Sequence, residues 1–271
     1  MIHNNGIVDY PSGLTPAVTD AVILAGGRGE RLRPLTQDRP KCMVEVNGMP
    51  ILAYQLNWLR EHGIKRVVIA CGYLHEVIES YLGNGLKMGI QISYAVENQP
   101  LGRGGALKAG LRKLAGTGSS IIAMNGDNIC DLAIGDLAQH HLSTGAMVTV
   151  VTTKLRSPYG IADIAEDGKI SGFREKPELP YFINCGIYMF NPQLMDRLPD
   201  KGDHEELTFP ALAREGELAA YRSGAYWRTI DTMKDLSELQ ADLINLNLYG
   251  TRQTLDWTGC STLDKPFIAP L

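Results

Sequence analysis

Nowhere in the 271-residue chain does an apolar run approach the ~20 residues that a helix needs to cross a bilayer, which excludes a membrane-spanning helix. The start of the chain lacks the basic residues and following apolar stretch of a secretory signal, so a cytoplasmic protein is expected. Cysteine is sparse and scattered. Cys42, Cys71, Cys130, Cys185 and Cys260 form no C-x-x-C pair, which argues against a zinc knuckle or disulfide framework and for reduced thiols. Positive charge is not in excess either: 26 Lys and Arg against 30 Asp and Glu give a formal net charge of −4, unlike a protein made to coat nucleic acid. Internal repeats and low-complexity linkers are also missing.

What is present is ordinary for a globular chain with a sizeable core: 44% of residues are hydrophobic, and the length suits one large α/β domain or two small ones. Residues 1–19 are polar with Pro11, Gly13 and Pro16, and read as a leader. "AVILAG" and "RVVIACG" are short continuous apolar runs, as in strands covered on both faces. Between them "PILAYQLNWLREHG" carries apolar residues at helical spacing and ends at Gly63. Then follow "HEVIESYLG" (helix), "IQISYAV" (strand), "GGALKAGLRKLAG" (helix) and "SSIIAMNGD" (strand). This alternation predicts a mostly parallel, Rossmann-like sheet flanked by helices. After about residue 145 the rhythm changes to strands joined by turns. Asp167-Gly168 marks a hairpin, and helices are predicted in "EELTFPALAREG" and "MKDLSELQADLINLNL". His140 and His141, neighbours about 100° apart on a helix, read as surface.

The stretch "AVILAGGRGERLRPLTQDRPKCMVEVNGMPI" is the most unusual. Arg28, Arg31, Arg33, Arg39 and Lys41 crowd into fourteen residues and repel one another unless something anionic sits among them. A dinucleotide fingerprint fails here: Gly27 and Gly29 supply two glycines, but the third position is Leu32 and Pro34 follows at once. A phosphate loop of the G-K-[ST] kind fails because that tripeptide does not occur. What remains is an open glycine-rich loop carrying its own cations. Its backbone N–H groups can turn toward phosphate oxygens while Arg and Lys add charge-assisted bonds. A nicotinamide dehydrogenase is a distant alternative, with Glu45 near the spacing of a ribose-binding acid but no third glycine.

"LAGGRGERLRPLTQDRPK" resembles the signature of the sugar-1-phosphate nucleotidyltransferases, G-G-x-G-x-R-L-x-P-L-T followed by P-K. The likeness continues through "VNGMPIL", "PLGRGGAL", "NGD", "YGIADI", "FREKP", "NCGIYMF" and "YWRTIDTMKDL", over roughly residues 20–240. It implies transfer of a nucleotidyl group from a nucleoside triphosphate to a sugar 1-phosphate, with release of pyrophosphate and use of Mg²⁺. It also implies a nucleotide-binding half (residues 20–145), a sugar-binding half (146–245), a tail (246–271) and a homo-oligomer. A non-catalytic relative that binds a nucleotide-sugar would be expected to lack Arg31, Lys41 or Asp127, and all three are present.

Carried over residue by residue, the resemblance gives Leu24, Ala25, Gly26, Gly27, Gly29, Gly102 and Asn125 to the nucleotide, and Arg31 and Lys41 to catalysis. Two anionic reactants repel by several kcal/mol in a partly dry site, and cations between them remove that cost and hold them in line. The attacking phosphate is already ionised at neutral pH, so no general base is needed. Asp127, after a buried strand, is the expected Mg²⁺ ligand, since ligands gather at the carboxyl ends of strands. The second carboxylate is expected at Asp231. Thr229 stands where many relatives carry Asp, whereas a cytidylyltransferase-like W-x-x-M-D-T pattern matches Trp227 and Asp231-Thr232; a helix N-cap is the competing role at 231 or 232. Tyr159, Gly160, Glu175, Lys176, Asn184, Gly186 and Trp227 are expected around the sugar phosphate. Glu97 is expected to accept guanine N1–H and N2–H₂, which favours GTP over cytidylyl or thymidylyl transfer. Arg103 replaces the Thr common after "PLG", and the sugar is open among heptose, mannose, glucose and cyclitol phosphates.

Overall fold

A computed structural model describes residues 18–114 and 120–246. The expected leader (1–19) and tail (246–271) fall, apart from residues 18, 19 and 246, outside the described residues. The centre is a seven-stranded sheet. Its order is Leu218–Arg222, Val148–Arg156, Glu178–Phe190, Ile121–Asn125, Asp20–Leu24, Arg66–Cys71 and Gln91–Val96. Every neighbouring pair is parallel except the two made by Glu178–Phe190, which runs against both its partners. The predicted mostly parallel α/β sheet is therefore what the chain forms.

Both sheet faces are covered, which is why these strands are near-continuous apolar runs. Along Asp20–Leu24, Ala21 and Ile23 enter one core cluster and Val22 the other, following the two-residue alternation of a strand. The first cluster takes Leu52, Leu56 and Leu59 from helix Ile51–Glu61 and Leu137 from helix Ile134–Thr144. The second takes Leu107 and Leu111 from helix Gly102–Lys113 and Leu212 from helix Phe209–Glu215. Gly110 is glycine for this packing: a Cβ there would come within 2.7 Å of Val22 Cγ1.

A third, smaller cluster lies off the sheet. Leu32, Val44 and Val46 from the glycine-rich segment pack with Ile51, Tyr54, Ile129 and Ile230, and with Leu236, Leu239 and Leu243 of helix Met233–Asn245. That helix starts cleanly because Thr232 caps it and Asp235 completes a reciprocal capping box. The cluster thus staples residues near 31, 41, 129 and 231 into one body. Hairpin Ile161–Ile164 and Ile170–Arg174 turns at Gly168 (φ 82°), as the Asp-Gly pair predicts.

The expectation of a surface His140–His141 pair is half wrong. His141 is buried, with Nδ1 2.9 Å from Thr149 Oγ1 and Nε2 3.3 Å from Asn191 Oδ1. Its helix face packs on the sheet, and burial pushes its pKa down while those partners satisfy the neutral ring. No helix among the described residues is long and apolar enough to cross a membrane.

Candidate active site

The carboxyl ends of three adjacent parallel strands (Asp20–Leu24, Arg66–Cys71 and Ile121–Asn125) set the floor of the site. Ala25 N donates to Ala70 O (2.7 Å) and Gly126 N to Leu24 O (2.8 Å), so the loops leave the sheet side by side. A Cβ on Gly126 would sit 3.0 Å from Leu24 O, which is why glycine precedes Asp127. Above this floor is a pocket of about 410 Å³ lined by Leu24, Ala25, Gly26, Gly27, Lys41, Cys42, Glu97, Pro100, Gly102, Arg103, Ala106, Asn125, Gly126 and Asp127.

The glycine-rich loop does not coil into a long helix. It makes one 3₁₀ turn, Glu30–Leu32, and sinks Leu32 completely into the third cluster. Gly29 enters the turn at φ 65°, and a Cβ there would lie 2.9 Å from Thr36 Cγ2 and 3.0 Å from Lys41 Cβ. Thr36 Oγ1 donates to Gly29 O (2.8 Å), and Lys41 N donates to Gly27 O (3.3 Å). The loop therefore closes on itself and aims the Lys41 side chain inward.

The five cations do not gather round one point. Arg39 pairs with Asp38 and Glu45, away from the pocket, and the Arg28 guanidinium lies 5.5 Å from the Tyr73 ring centre. Of the five, Lys41 and Arg31 are the two that converge on the acids at the pocket edge, Asp127 and Asp231. Lys41 Nζ donates to Asp127 Oδ2 (2.5 Å) and Asp231 Oδ1 (2.6 Å), and Arg31 donates to Asp231 Oδ1 (2.9 Å). Burial works against the Lys41 charge, but the two carboxylates outweigh it and hold its pKa above the ordinary value. Lys41 is only 12% exposed and Arg31 is 69% exposed, so the first is built into the site while the second reaches Asp231 from solvent.

The competing cap role for Asp231 falls to its neighbour. Thr232 caps helix Met233–Asn245, and Asp235 accepts from the N–H groups of Asp231 and Thr232, which leaves the Asp231 carboxylate turned toward Lys41. Asp127 and Asp231 thus meet at one cation from positions 104 residues apart. Asp127 Oδ1 is buried without a hydrogen-bond partner among the described residues, an arrangement that suits a cation or a donor supplied from outside. Two carboxylates, one with an orphaned oxygen, beside a pocket fit a Mg²⁺ that completes its shell with phosphate oxygens and water. Among the described residues no group of three or more His, Cys, Asp or Glu forms a self-sufficient metal cage.

Glu97 forms the opposite wall. Its Oε2 accepts from Leu101 N (2.9 Å), and its Oε1 lies 3.7 Å from the point a Gly26 Cβ would occupy. Burial raises its pKa against the lowering effect of the Leu101 N–H. Gly102, Gly104 and Gly105 have another reason to be glycine. Cβ atoms there would come within 2.6 Å of Gly202 O, 2.8 Å of Pro199 Cγ and 2.5 Å of Asp200 O, so the 199–204 segment lies directly on this turn.

The residues expected at the sugar are not in this pocket lining. Gly160 and Glu175 are neighbours, since a Gly160 Cβ would lie 2.9 Å from Glu175 Oε2, while Tyr159 is 75% exposed. Lys176, held at φ 46°, reaches 3.9 Å from Glu175. Asn184 is occupied as a bracket: its amide donates to Tyr188 and Glu205, and its Oδ1 accepts from Gly186 N (2.7 Å). Gly186 presses on Asn125, whose side chain a Cβ would strike. Trp227 donates its indole N–H to Cys185 O (2.8 Å) and packs on the first core cluster.

Several residues of the site carry no motif. Gln55, fully buried, donates to Asn125 O and Asn128 O (2.8 Å each) and so grips the turn that bears Asp127. A lone Gln on the apolar stripe of Ile51–Glu61 is the signal that could have found it. Cys42, next to Lys41, also lines the pocket, as do Pro100 and Ala106 from the "PLGRGGAL" stretch.

A Rossmann-like sheet thus carries, at its strand ends, a closed glycine-rich loop, a lysine clasped by two aspartates and a walled pocket, the place where open α/β sheets hold their ligands. The chain belongs to the nucleotidyl transferase family, which matches residues 20–245. It is 38% identical over 229 residues to a protein named mannose-1-phosphate guanylyltransferase catalytic subunit beta from Drosophila melanogaster, over 81% of this chain and 62% of that one. The chain thus spans about three fifths of the length of the curated relatives it matches. Among solved structures it resembles HddC from Yersinia pseudotuberculosis, with a TM-score of 0.67, 28% identity, and coverage of 83% of this chain and 100% of that one. A second structure of HddC, complexed with GMP-PN, matches with a TM-score of 0.65, 26% identity and the same coverage.

Proposed function

We propose that the protein transfers a guanylyl group from GTP to a sugar 1-phosphate, with mannose 1-phosphate the first candidate, forming a nucleotide-sugar and pyrophosphate. What supports this above all is the convergence of Arg31, Lys41, Asp127 and Asp231, from three separate stretches of the chain, at the edge of one pocket. The name of the Drosophila relative and the GMP-PN bound to HddC favour a guanine nucleotide.

A phosphate oxygen of the sugar 1-phosphate attacks the α-phosphorus of GTP. The bond from that phosphorus to the β-phosphate bridging oxygen breaks, and pyrophosphate leaves with the electron pair. The Gly26–Gly29 loop would cradle the triphosphate with backbone N–H groups, and Lys41 would sit between the two phosphates to offset their repulsion. Arg31, exposed and paired with only one oxygen of Asp231, is free to swing onto the triphosphate at little cost. Asp127 and Asp231 would hold Mg²⁺, which when bound neutralises phosphate charge and draws electron density from the reacting phosphorus. Glu97 would accept the paired N–H groups of guanine, its plane fixed by Leu101. Gly160, Glu175 and Lys176 would meet the sugar from the hairpin side, with Glu175 accepting from its hydroxyls.

Pyrophosphate release tests this with GTP, ATP, CTP and dTTP, each against mannose, glucose and heptose 1-phosphates. GTP should exceed the other nucleotides at least about tenfold in kcat/KM, the ratio one good hydrogen-bond pair gives. A clear preference for CTP or dTTP would reject the base assignment, and no pyrophosphate with any pair would reject the activity.

A further inference from the structure

We propose that Glu205 is a positioning residue that ties the Arg103 wall of the pocket to the Asn184–Gly186 turn beside Asn125, so that one carboxylate sets the fit of both substrates. The inference rests on the proposed reaction and adds to it a residue that no motif marks.

Glu205 lies on the short helix His204–Leu207, whose first turn is fixed by Asp203 Oδ1 accepting from Glu205 N (2.8 Å). The two carboxylate oxygens face different partners. Oε2 pairs with Arg103 (2.8 Å), and Asp203 Oδ2 accepts from Arg103 Nε (2.6 Å), so the guanidinium at the pocket wall is clamped from two sides. Oε1 accepts from Tyr188 Oη (2.5 Å) and from Asn184 Nδ2 (2.9 Å). Asn184 then holds Gly186 N, and Gly186 at φ 66° lies against the side chains of Asn125 and Asn128. The chain of contacts begins at Arg103 and ends at Asn125, and both line the pocket.

The surroundings stiffen this bridge. Gly202 N donates to Leu101 O (2.8 Å) and Gly104 N to Gly202 O (2.9 Å), which straps the 101–104 turn to the segment leading into Glu205. Tyr188, His204 and Phe209 pack edge to face beneath it. The arrangement also accounts for Arg at position 103. Two acids stand opposite, and a shorter uncharged side chain could not reach both.

The two oxygens make the test selective. Glu205→Gln can keep a carbonyl oxygen toward Tyr188 and Asn184 while its amide loses the ion pair with Arg103. KM for GTP should rise about fivefold or more, with KM for the sugar phosphate and kcat within about twofold of the parent. Glu205→Ala cuts both arms, so both KM values should rise about fivefold or more together. Amide hydrogen exchange should quicken at 101–106 in both variants, and at 184–188 in the alanine variant alone. A glutamine variant that moves both KM values equally, or leaves both unchanged, overturns the inference. If the alanine variant does not fold, the glutamine variant and its exchange pattern still decide it. A parent protein that turns over no GTP would count against the proposed reaction, while exchange in the two variants would still judge the bridge.

Discussion

Replacing Lys41 should have opposite effects on metal binding and on turnover. In the free protein the Lys41 ammonium occupies the ground between Asp127 and Asp231, at 2.5 and 2.6 Å. Charge-assisted hydrogen bonds contribute ~1.5–3 kcal/mol each, and the 33% exposure of Asp231 puts its bond at the low end. A divalent cation drawn to the same carboxylates works against that ammonium, by displacing it or by charge repulsion. Lys41→Met removes at least one bond's worth of competition, about 1.5 kcal/mol, which is roughly a tenfold lower Kd. The orphaned Asp127 Oδ1 stays available to the cation in either protein.

The assay is a titration of nucleotide-free protein with Mn²⁺ as a stand-in for Mg²⁺, reading free Mn²⁺ by electron paramagnetic resonance. Lys41→Met should bind about tenfold tighter than the parent, and Lys41→Arg, which keeps the charge, should stay within about threefold. Turnover of the methionine variant should fall about 100-fold or more, the usual loss when a preorganised charge-stabilising group is removed. Without metal the methionine variant should also melt lower, because Asp127 and Asp231 then lose the ammonium they share, leaving Asp231 paired with the exposed Arg31. Saturating Mn²⁺ should recover that loss by mass action. Mn²⁺ binding equal to or weaker than the parent's would refute the reasoning, because the two aspartates would then not share one cation site.

Glu97→Gln should flatten the acid side of the pH profile of kcat/KM for GTP. The raised pKa means the carboxylate gains its proton at a higher pH than an ordinary glutamate, so parental kcat/KM should start to fall above that range; a fall only at the ordinary value would argue against Glu97 as the base contact. The same shift has a stability sign: between the unfolded and folded pKa values the folded state holds more protons, so stability declines as pH rises through that window. Thermal melts at neutral pH should therefore show the glutamine variant at or above the parent. Gly29→Ala should cost ~1–3 kcal/mol of stability, for a left-handed backbone and a Cβ pressed on Thr36 and Lys41. It should slow turnover more than Gly27→Ala, where a Cβ meets nothing within 4 Å; equal effects of the two would remove the loop's role in aiming Lys41.

The sheet was legible because strands buried on both faces must be apolar throughout, and the turns at Gly63 and Gly168 because only glycine adopts their backbone cheaply. The loop was legible as a motif but not as a shape. Sequence alone could not show that Arg39 turns out to Glu45 while Lys41 turns in, because the difference lies in Thr36 and Leu32 folding the loop onto itself. The 100° between His140 and His141 does not tell which of the two faces the sheet; His141 is the buried one, and its two partners come from a neighbouring strand and from Asn191. Gln55 and Glu205 carry no local pattern because each acts on backbone or side chains far along the chain.

The pairing of Asp127 with Asp231 shows where local pattern ends and register begins. The ribbon formed by Asn128–Cys130 and Trp227–Thr229 runs antiparallel, with Thr229 opposite Asn128. Ile230 N then donates to Asp127 O (3.1 Å), which fixes the second segment against the turn that carries the first aspartate. Residues 229 and 231 project to the same side of an extended segment, so an acid at either could approach Asp127. With Thr at 229, the capping box at Thr232 and Asp235 sets where the extended backbone stops and the helix begins, and so leaves Asp231 as the last residue facing Lys41. Lengthening or shortening that junction by one residue should separate the carboxylates even with every motif residue retained.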